Sequence, residues 1–169
     1  RTRSSDPSLD GREGTIDVEP PPPEAIEKNP NLRGHLRISE NGRYFESADG
    51  TPFLLLADTI WAFNTFRCGL GEDRNEPFFT YLADHRSKSF TTLLVSLLHG
   101  YGDVEQPTGY RNEGGYAFQD GDLEKLNFAY FDALDVRMRA IWEHGFAVAC
   151  HPTWFGKPKC IWTLTDAQR

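Results

Sequence analysis

Apolar residues in this chain fall into two kinds of pattern that alternate along it: short unbroken runs and helix-spaced faces. Phe53–Ala57 and Leu93–Leu98 are near-continuous apolar runs, as is Phe146–Cys150. Runs of this length suit strands buried on both faces. Between the first two, Phe78, Leu82 and His85 lie one turn apart, with Asp73 or Asn75 as the cap and Pro77 early in the helix. Between the second and third, Phe131, Leu134, Met138 and Ile141 repeat at spacings of three and four. Gly145 ends that helix in the C′ position, with His144 in its last turn. Thr165–Gln168 reads as the start of a further helix.

Upstream, Leu36, Ile38, Tyr44 and Phe45 flank Asn41-Gly42, a two-residue hairpin turn, and Asp49-Gly50 gives a second turn. Residues 34–53 therefore read as a β-hairpin leading into the domain. Residues 1–31 carry no apolar period and contain the run Pro20–Pro23, so they read as a disordered, Pro-rich tail. The organised domain is expected over residues 32–169.

Strands alternating with helices imply an α/β fold with a parallel sheet covered by helices. A doubly wound sheet and a (β/α)8 barrel both meet that description. Asp58-Thr59-Ile60-Trp61 follows the first run where a nucleotide-binding fold would carry a Gly-rich phosphate turn. An N-terminal hairpin also suits the floor of a barrel. The expected fold is thus a partial (β/α)8 TIM barrel, its first three βα units only, since a whole barrel takes about 250 residues.

Composition narrows the partners. Apolar residues make up 38% of the chain, which excludes wholesale disorder. The formal charge of −7 and a pI near 5.2 disfavour nucleic acid and anionic membrane surfaces as partners. No apolar stretch approaches the roughly 20 residues of a spanning helix. No signal peptide is visible, but the sequence begins at Arg1, so secretion stays open. Cys68, Cys150 and Cys160 form neither a CxxC pattern nor a framework of bridges. They read as buried or idle thiols, with a Cys150–Cys160 bridge as the alternative.

Barrel chemistry sits at the carboxyl ends of the strands. The first run delivers Asp58 and Trp61 there, the second His99, Tyr101 and Asp103, and the third His151 and Trp154. Carboxylates and imidazoles that bind hydroxyls, beside aromatic faces that stack on a sugar ring, are the mixture a carbohydrate site needs. Each residue has a plainer reading. Asp58 could cap a turn, the tryptophans could pack the rim, and the histidines could be structural. Asp103, Glu105, Glu113, Asp120 and Asp122 read mostly as solvated surface. A metal site from His99, His151 and Asp58 has no spacing to support it. No metal and no cofactor is expected.

These residues also carry a resemblance. Leu36–Phe45, Asp49–Phe53 and Leu55–Trp61, then Asn112–Phe118, Asn127, Tyr130-Phe131, Asp135 and Pro152–Trp154, resemble in order the opening of the apiosidase-like catalytic domain family. The likeness spans roughly residues 33–169. It implies a glycoside hydrolase on a (β/α)8 barrel, with a carbohydrate as substrate. It implies Asp58, Trp61, Asn112, Tyr116 and Trp154 as part of the sugar-binding rim. Ala57 stands where the family usually has Gly, and His99 matches no family position. Glycoside hydrolysis needs two carboxylates. The family implies them near the ends of about the fourth and seventh strands, so no catalytic residue is expected in this chain, and the fragment alone is expected to be inactive. The alternatives are a non-catalytic carbohydrate-binding or degraded-gene fragment, and an unrelated barrel enzyme.

Overall fold

The computed structural model describes residues 2–15, 17–71, 77–98 and 111–153. The segment read as a tail contains a short helix, α1 (Pro23–Lys28), followed by a 3-10 turn, Pro30–Arg33. Asn29 and Asn31 bind this turn to the domain. Asn29 Nδ2 donates to Trp142 O at 3.0 Å, and Asn31 Nδ2 donates to Phe146 O at 3.0 Å.

Three short strands then form an antiparallel sheet: β1 (Leu36–Ile38), β2 (Phe45–Ser47) and β3 (Pro52–Phe53). The first turn is wider than the two residues expected. Ser39 N donates to Tyr44 O, and the Asn41 carboxamide oxygen accepts from Arg43 N and from Ser39 Oγ. These local side-chain bonds compete with the ladder and hold six residues out of it. The second turn forms at Asp49-Gly50, where Gly50 takes φ +86°.

The parallel sheet contains β4 (Ala57–Ile60), β5 (Thr92–Leu98) and β6 (Ala147–Thr153), in the order β4-β5-β6. The second and third strands lie close to their expected positions. The first does not. Phe53 belongs to the antiparallel sheet, Leu54–Leu56 are exposed connectors, and the parallel strand begins at Ala57. The reason lies in the hydrogen bonds. Leu56 O accepts from Thr91 N and Thr92 N, so pairing with β5 starts only beyond Leu56.

Helix α2 (Pro77–Ser87) runs between β4 and β5, and α3 (Phe128–Glu143) between β5 and β6. Phe78 and Leu82 of α2 meet Leu134 and Ile141 of α3 in one core with Phe63, Leu93, Val95 and Phe146. The apolar face of α3 is centred one position earlier than its spacing predicts. Tyr130, Leu134, Arg137, Ala140 and Ile141 are its buried residues, while Phe131 and Met138 flank them.

Candidate functional site

In parallel strands, residues in register share a face, and the two faces alternate along each strand. Leu93 and Val95 of β5 belong to the core under the helices. Thr92, Leu94, Ser96 and Leu98 therefore occupy the face opposite that core. Ser96 pairs in register with His151, which places His151 on that face near the carboxyl end of the sheet. Ile60 pairs with Val95, so Trp61, the next residue, comes at the level of Ser96. Trp61 is 50% exposed. Ser96 and His151 thus pair near the carboxyl ends of β5 and β6, and Trp61 stands in the turn that directly follows β4.

Asp58 does not join these residues. It is the second residue of β4, in register with Leu93, so its side chain lies on the helix face. There its Oδ2 accepts from Tyr81 Oη at 2.7 Å and lies 2.8 Å from His85 Nε2. Thr59 N donates to its Oδ1 at 2.8 Å. Tyr81 and His85 stack at 3.8 Å between ring centroids. The Tyr81 hydrogen bond, helped by Thr59 N and His85, holds the Asp58 carboxyl below its ordinary pKa, although partial burial works the other way. Burial, with the carboxylate at its tip, pushes the Tyr81 hydroxyl up. The expectation that Asp58 stands at the end of a strand is corrected, because the strand begins at Ala57 rather than ending there.

After β5, residues 111–127 return across the carboxyl side as a loop pinned at two points. Asn112, fully buried, donates to Asn64 Oδ1 at 2.9 Å and to Tyr130 O at 3.0 Å. Asn64 Nδ2 and Tyr130 Oη both donate to Leu97 O, near the end of β5. Burial pushes the Tyr130 hydroxyl up to about 12. Asn112, expected on the sugar rim, thus spends its amide inside the protein. Tyr116 lies half-buried in the same loop, with its backbone oxygen accepting from Asn127 Nδ2 at 2.7 Å.

The second pin is an ion pair. Arg137 is 0% exposed, and its guanidinium meets both oxygens of Glu113 at 2.8 Å. Arg137 Nη2 also donates to Cys68 O at 3.0 Å, and Leu70 N donates to Glu113 Oε1. Burial raises the Glu113 carboxyl, but the Arg137 bonds outweigh it and leave the group below its usual range. Glu113, expected to be solvated surface, is a structural acid. Gly114 is needed beside it, since a Cβ there would stand 2.0 Å from Ala129 O.

The profile of the apiosidase-like catalytic domain matches residues 39–169. The chain belongs to the apiosidase-like family. Two solved structures share its fold. One is a glycoside hydrolase family 5 protein from Bacteroides vulgatus, 24% identical, with a TM-score of 0.55 over 72% of this chain and 25% of that one. The other is described as a glycoside hydrolase, 24% identical, with a TM-score of 0.54 over 75% of this chain and 27% of that one. The apiosidase-like chain spans about a quarter of the length of these proteins. No curated protein matches the sequence.

Within the apiosidase-like segment, the residues expected at the rim separate. Trp61 and His151 come to one level of the sheet, while Asp58 is held on its other face and Asn112 beneath the loop. His99, Tyr101, Asp103, Glu105, Trp154 and Cys160 lie outside the described residues, as does the expected helix at Thr165–Gln168. Among the described residues no three His, Cys, Asp or Glu side chains are grouped to hold a metal ion. Cys68 is buried and Cys150 exposed, both as free thiols. No helix among the described residues is long and apolar enough to cross a membrane. Asn64 and Arg137 were not foreseen. Arg137 sits where the apolar spacing of α3 leaves one charged residue facing inward, the one trace of it in the sequence.

Proposed function

We propose that this chain is the opening of a (β/α)8-barrel glycoside hydrolase of the apiosidase-like kind, contributing three βα units and one sector of its sugar-binding rim. The parallel order β4-β5-β6, with α2 and α3 packed on one face, supports the barrel reading. The face opposite α2 and α3 is then the barrel interior. The observation that carries the site is the level shared by Trp61, Ser96 and His151 at the carboxyl ends of the strands.

In this reading the exposed indole of Trp61 stacks on the apolar face of a sugar ring, and the His151 imidazole binds a hydroxyl. Tyr116, from the loop after β5, and Trp154 complete the sector. Asn112 and Asp58 act indirectly, the first by anchoring the loop that carries Tyr116, the second by fixing α2 to β4. The acid and the nucleophile or base of hydrolysis come from later barrel strands, so the chain alone binds sugar without cleaving it. Incubation with apiose-containing pectic oligosaccharides and aryl glycosides, followed by product analysis, tests this. Turnover by the chain alone would overturn it, as would sugar binding that Trp61→Ala leaves unchanged.

A further inference from the structure

At the opposite, amino ends of the parallel strands lies a cleft with a volume near 280 Å³. It is bounded by the antiparallel sheet, the Pro30–Arg33 turn and the segments that lead into β5 and β6. Among the described residues its charged lining is Arg33 and Arg86, with no carboxylate. In a chain of net charge −7 this is a local inversion of sign.

The two arginines differ. Arg33 Nη1 donates to Asp49 Oδ2 at 2.9 Å and to Thr51 Oγ1 at 3.0 Å, which holds it in the turn. The side chain of Arg86, half-buried at the end of α2, makes neither a hydrogen bond nor an ion pair among the described residues, although its backbone oxygen accepts from Ser89 N. Its guanidinium rests against Gly145. A Cβ built there would stand 3.6 Å from Arg86 Cζ and 2.8 Å from Pro30 Cδ. The end of α3 could attract a cation, yet Trp142 O and Phe146 O already accept from Asn29 and Asn31. Arg86 therefore offers a planar fork of N–H donors into the cleft with nothing to receive them. Ser47, 5% exposed, adds a hydroxyl, and Pro52 and Phe53 give the cleft an apolar wall.

We propose that this cleft binds a small organic carboxylate, its two oxygens on the Arg86 fork and its apolar body against Pro52 and Phe53. The volume lies at the small end of ligand pockets, about 300 Å³ and upward, so the occupant is a single small molecule. The planar fork suits a carboxylate, and the apolar wall selects one with a carbon body over a bare anion. The site is independent of the sugar rim, at the other end of the sheet.

The test uses the full chain and benzoate, a carboxylate on a flat apolar body, with benzamide as the neutral isostere and inorganic phosphate as the bare anion. Titrations are followed by amide NMR. The expected result is saturable benzoate binding that shifts the Gly145 and Thr51 amides. Benzamide and phosphate should bind at least tenfold more weakly, Arg86→Gln should lose at least tenfold, and Trp61→Ala should leave the binding unchanged. Arg86→Lys keeps the charge but loses the fork and should also weaken binding, which covers failure of Arg86→Gln to fold. Equal binding of benzoate by the wild type and Arg86→Lys, equal binding of benzamide or phosphate, or shifts confined to the rim would each overturn the proposal.

Discussion

Tyr81 donates its phenolic hydrogen to Asp58 Oδ2 at 2.7 Å, joining α2 to β4 across the core face of the sheet. His85 reaches the same oxygen one helical turn later, at 2.8 Å. The carboxylate thus acts as a latch between a strand and the helix that covers it. Removing one donor should loosen α2. A hydrogen bond to a charged acceptor contributes about 1.5–3 kcal/mol, and the partial exposure of Asp58 reduces this, so Tyr81→Phe is expected to cost about 1 kcal/mol. Urea unfolding of the two proteins measures it. An unchanged midpoint would show the latch to be idle.

The latch also sets a direction with pH. The folded pKa of Asp58 is lowered, first by the Tyr81 hydrogen bond, so the folded state binds its proton less readily than the unfolded chain. Its stabilisation is therefore complete above the unfolded value, about 3.9, and is lost as pH falls through the folded value. Glu113 is lowered likewise, by Arg137 against its own burial, and contributes in the same sense below its ordinary value of about 4.3. Thermal melts across the acid range should show stability falling below about pH 4. Asp58→Asn and Glu113→Gln should each flatten that fall. A slope identical to the wild type in both variants would exclude these two groups as its source.

Arg137 and Glu113 form a pair that is asymmetric in burial, wholly inside on one side and a third exposed on the other. Breaking a buried pair from one side costs about 3–5 kcal/mol, because the remaining charge is stranded. Glu113→Ala leaves Arg137 without its bidentate acceptor and is expected to cost about 2–3 kcal/mol, the lower figure reflecting the exposure of Glu113. Arg137→Met combined with Glu113→Gln should recover most of that loss, since no uncompensated charge remains. Chemical denaturation of the single and double variants checks the ordering, and a double variant worse than Glu113→Ala would refute it.

Gly114 permits the loop after β5 to touch the first turn of α3. A methyl group there would overlap Ala129 O at 2.0 Å and Tyr130 N at 2.5 Å, both backbone atoms that cannot rotate away. Gly114→Ala should lift the loop and break the bonds from Asn127 Nδ2 to Gly114 O and Tyr116 O. Hydrogen exchange at Asn112 and Gly115, which pair across the turn, should accelerate well before α2 does. Unchanged protection at both amides would count against the contact.

How far the sequence disclosed these features depends on what each one rests on. Helices α2 and α3 and the second and third parallel strands were legible because burial defines them and periodicity records burial, whereas α1, which buries no residue, was read as tail. The first strand was not. Phe53–Leu56 is apolar, but the ladder is decided by Thr91 and Thr92, 35 or more residues further on, whose amides take Leu56 O. That shift of register carried Asp58 off the rim, since one step along a strand exchanges its faces. His85 was visible as a member of the stripe on α2, while its partner in β4 was not. Arg137 and Glu113 stand 24 residues apart in a helix and a Gly-rich loop, a spacing that fits no local rule.

Trp61 and Asp58, separated by two residues, should therefore respond oppositely when sugar binding is measured. Asp58 is committed to Tyr81 and His85 on the helix face, so Asp58→Asn should lower stability and leave affinity for an oligosaccharide within about twofold, once compared at a temperature where both proteins are folded. Trp61 stands exposed just after β4, level with Ser96 and His151. Removing a stacked indole forfeits an aromatic contact worth about 0.5–1.5 kcal/mol beyond its buried area, so Trp61→Ala should weaken binding by about tenfold with little loss of stability. Tryptophan fluorescence supplies a second readout, because a stacked ligand changes the environment of Trp61 and the change vanishes in the variant. If Asp58→Asn abolished binding while Trp61→Ala preserved it, the carboxylate would be the sugar ligand after all, and the helix face of the sheet would have to open to admit it.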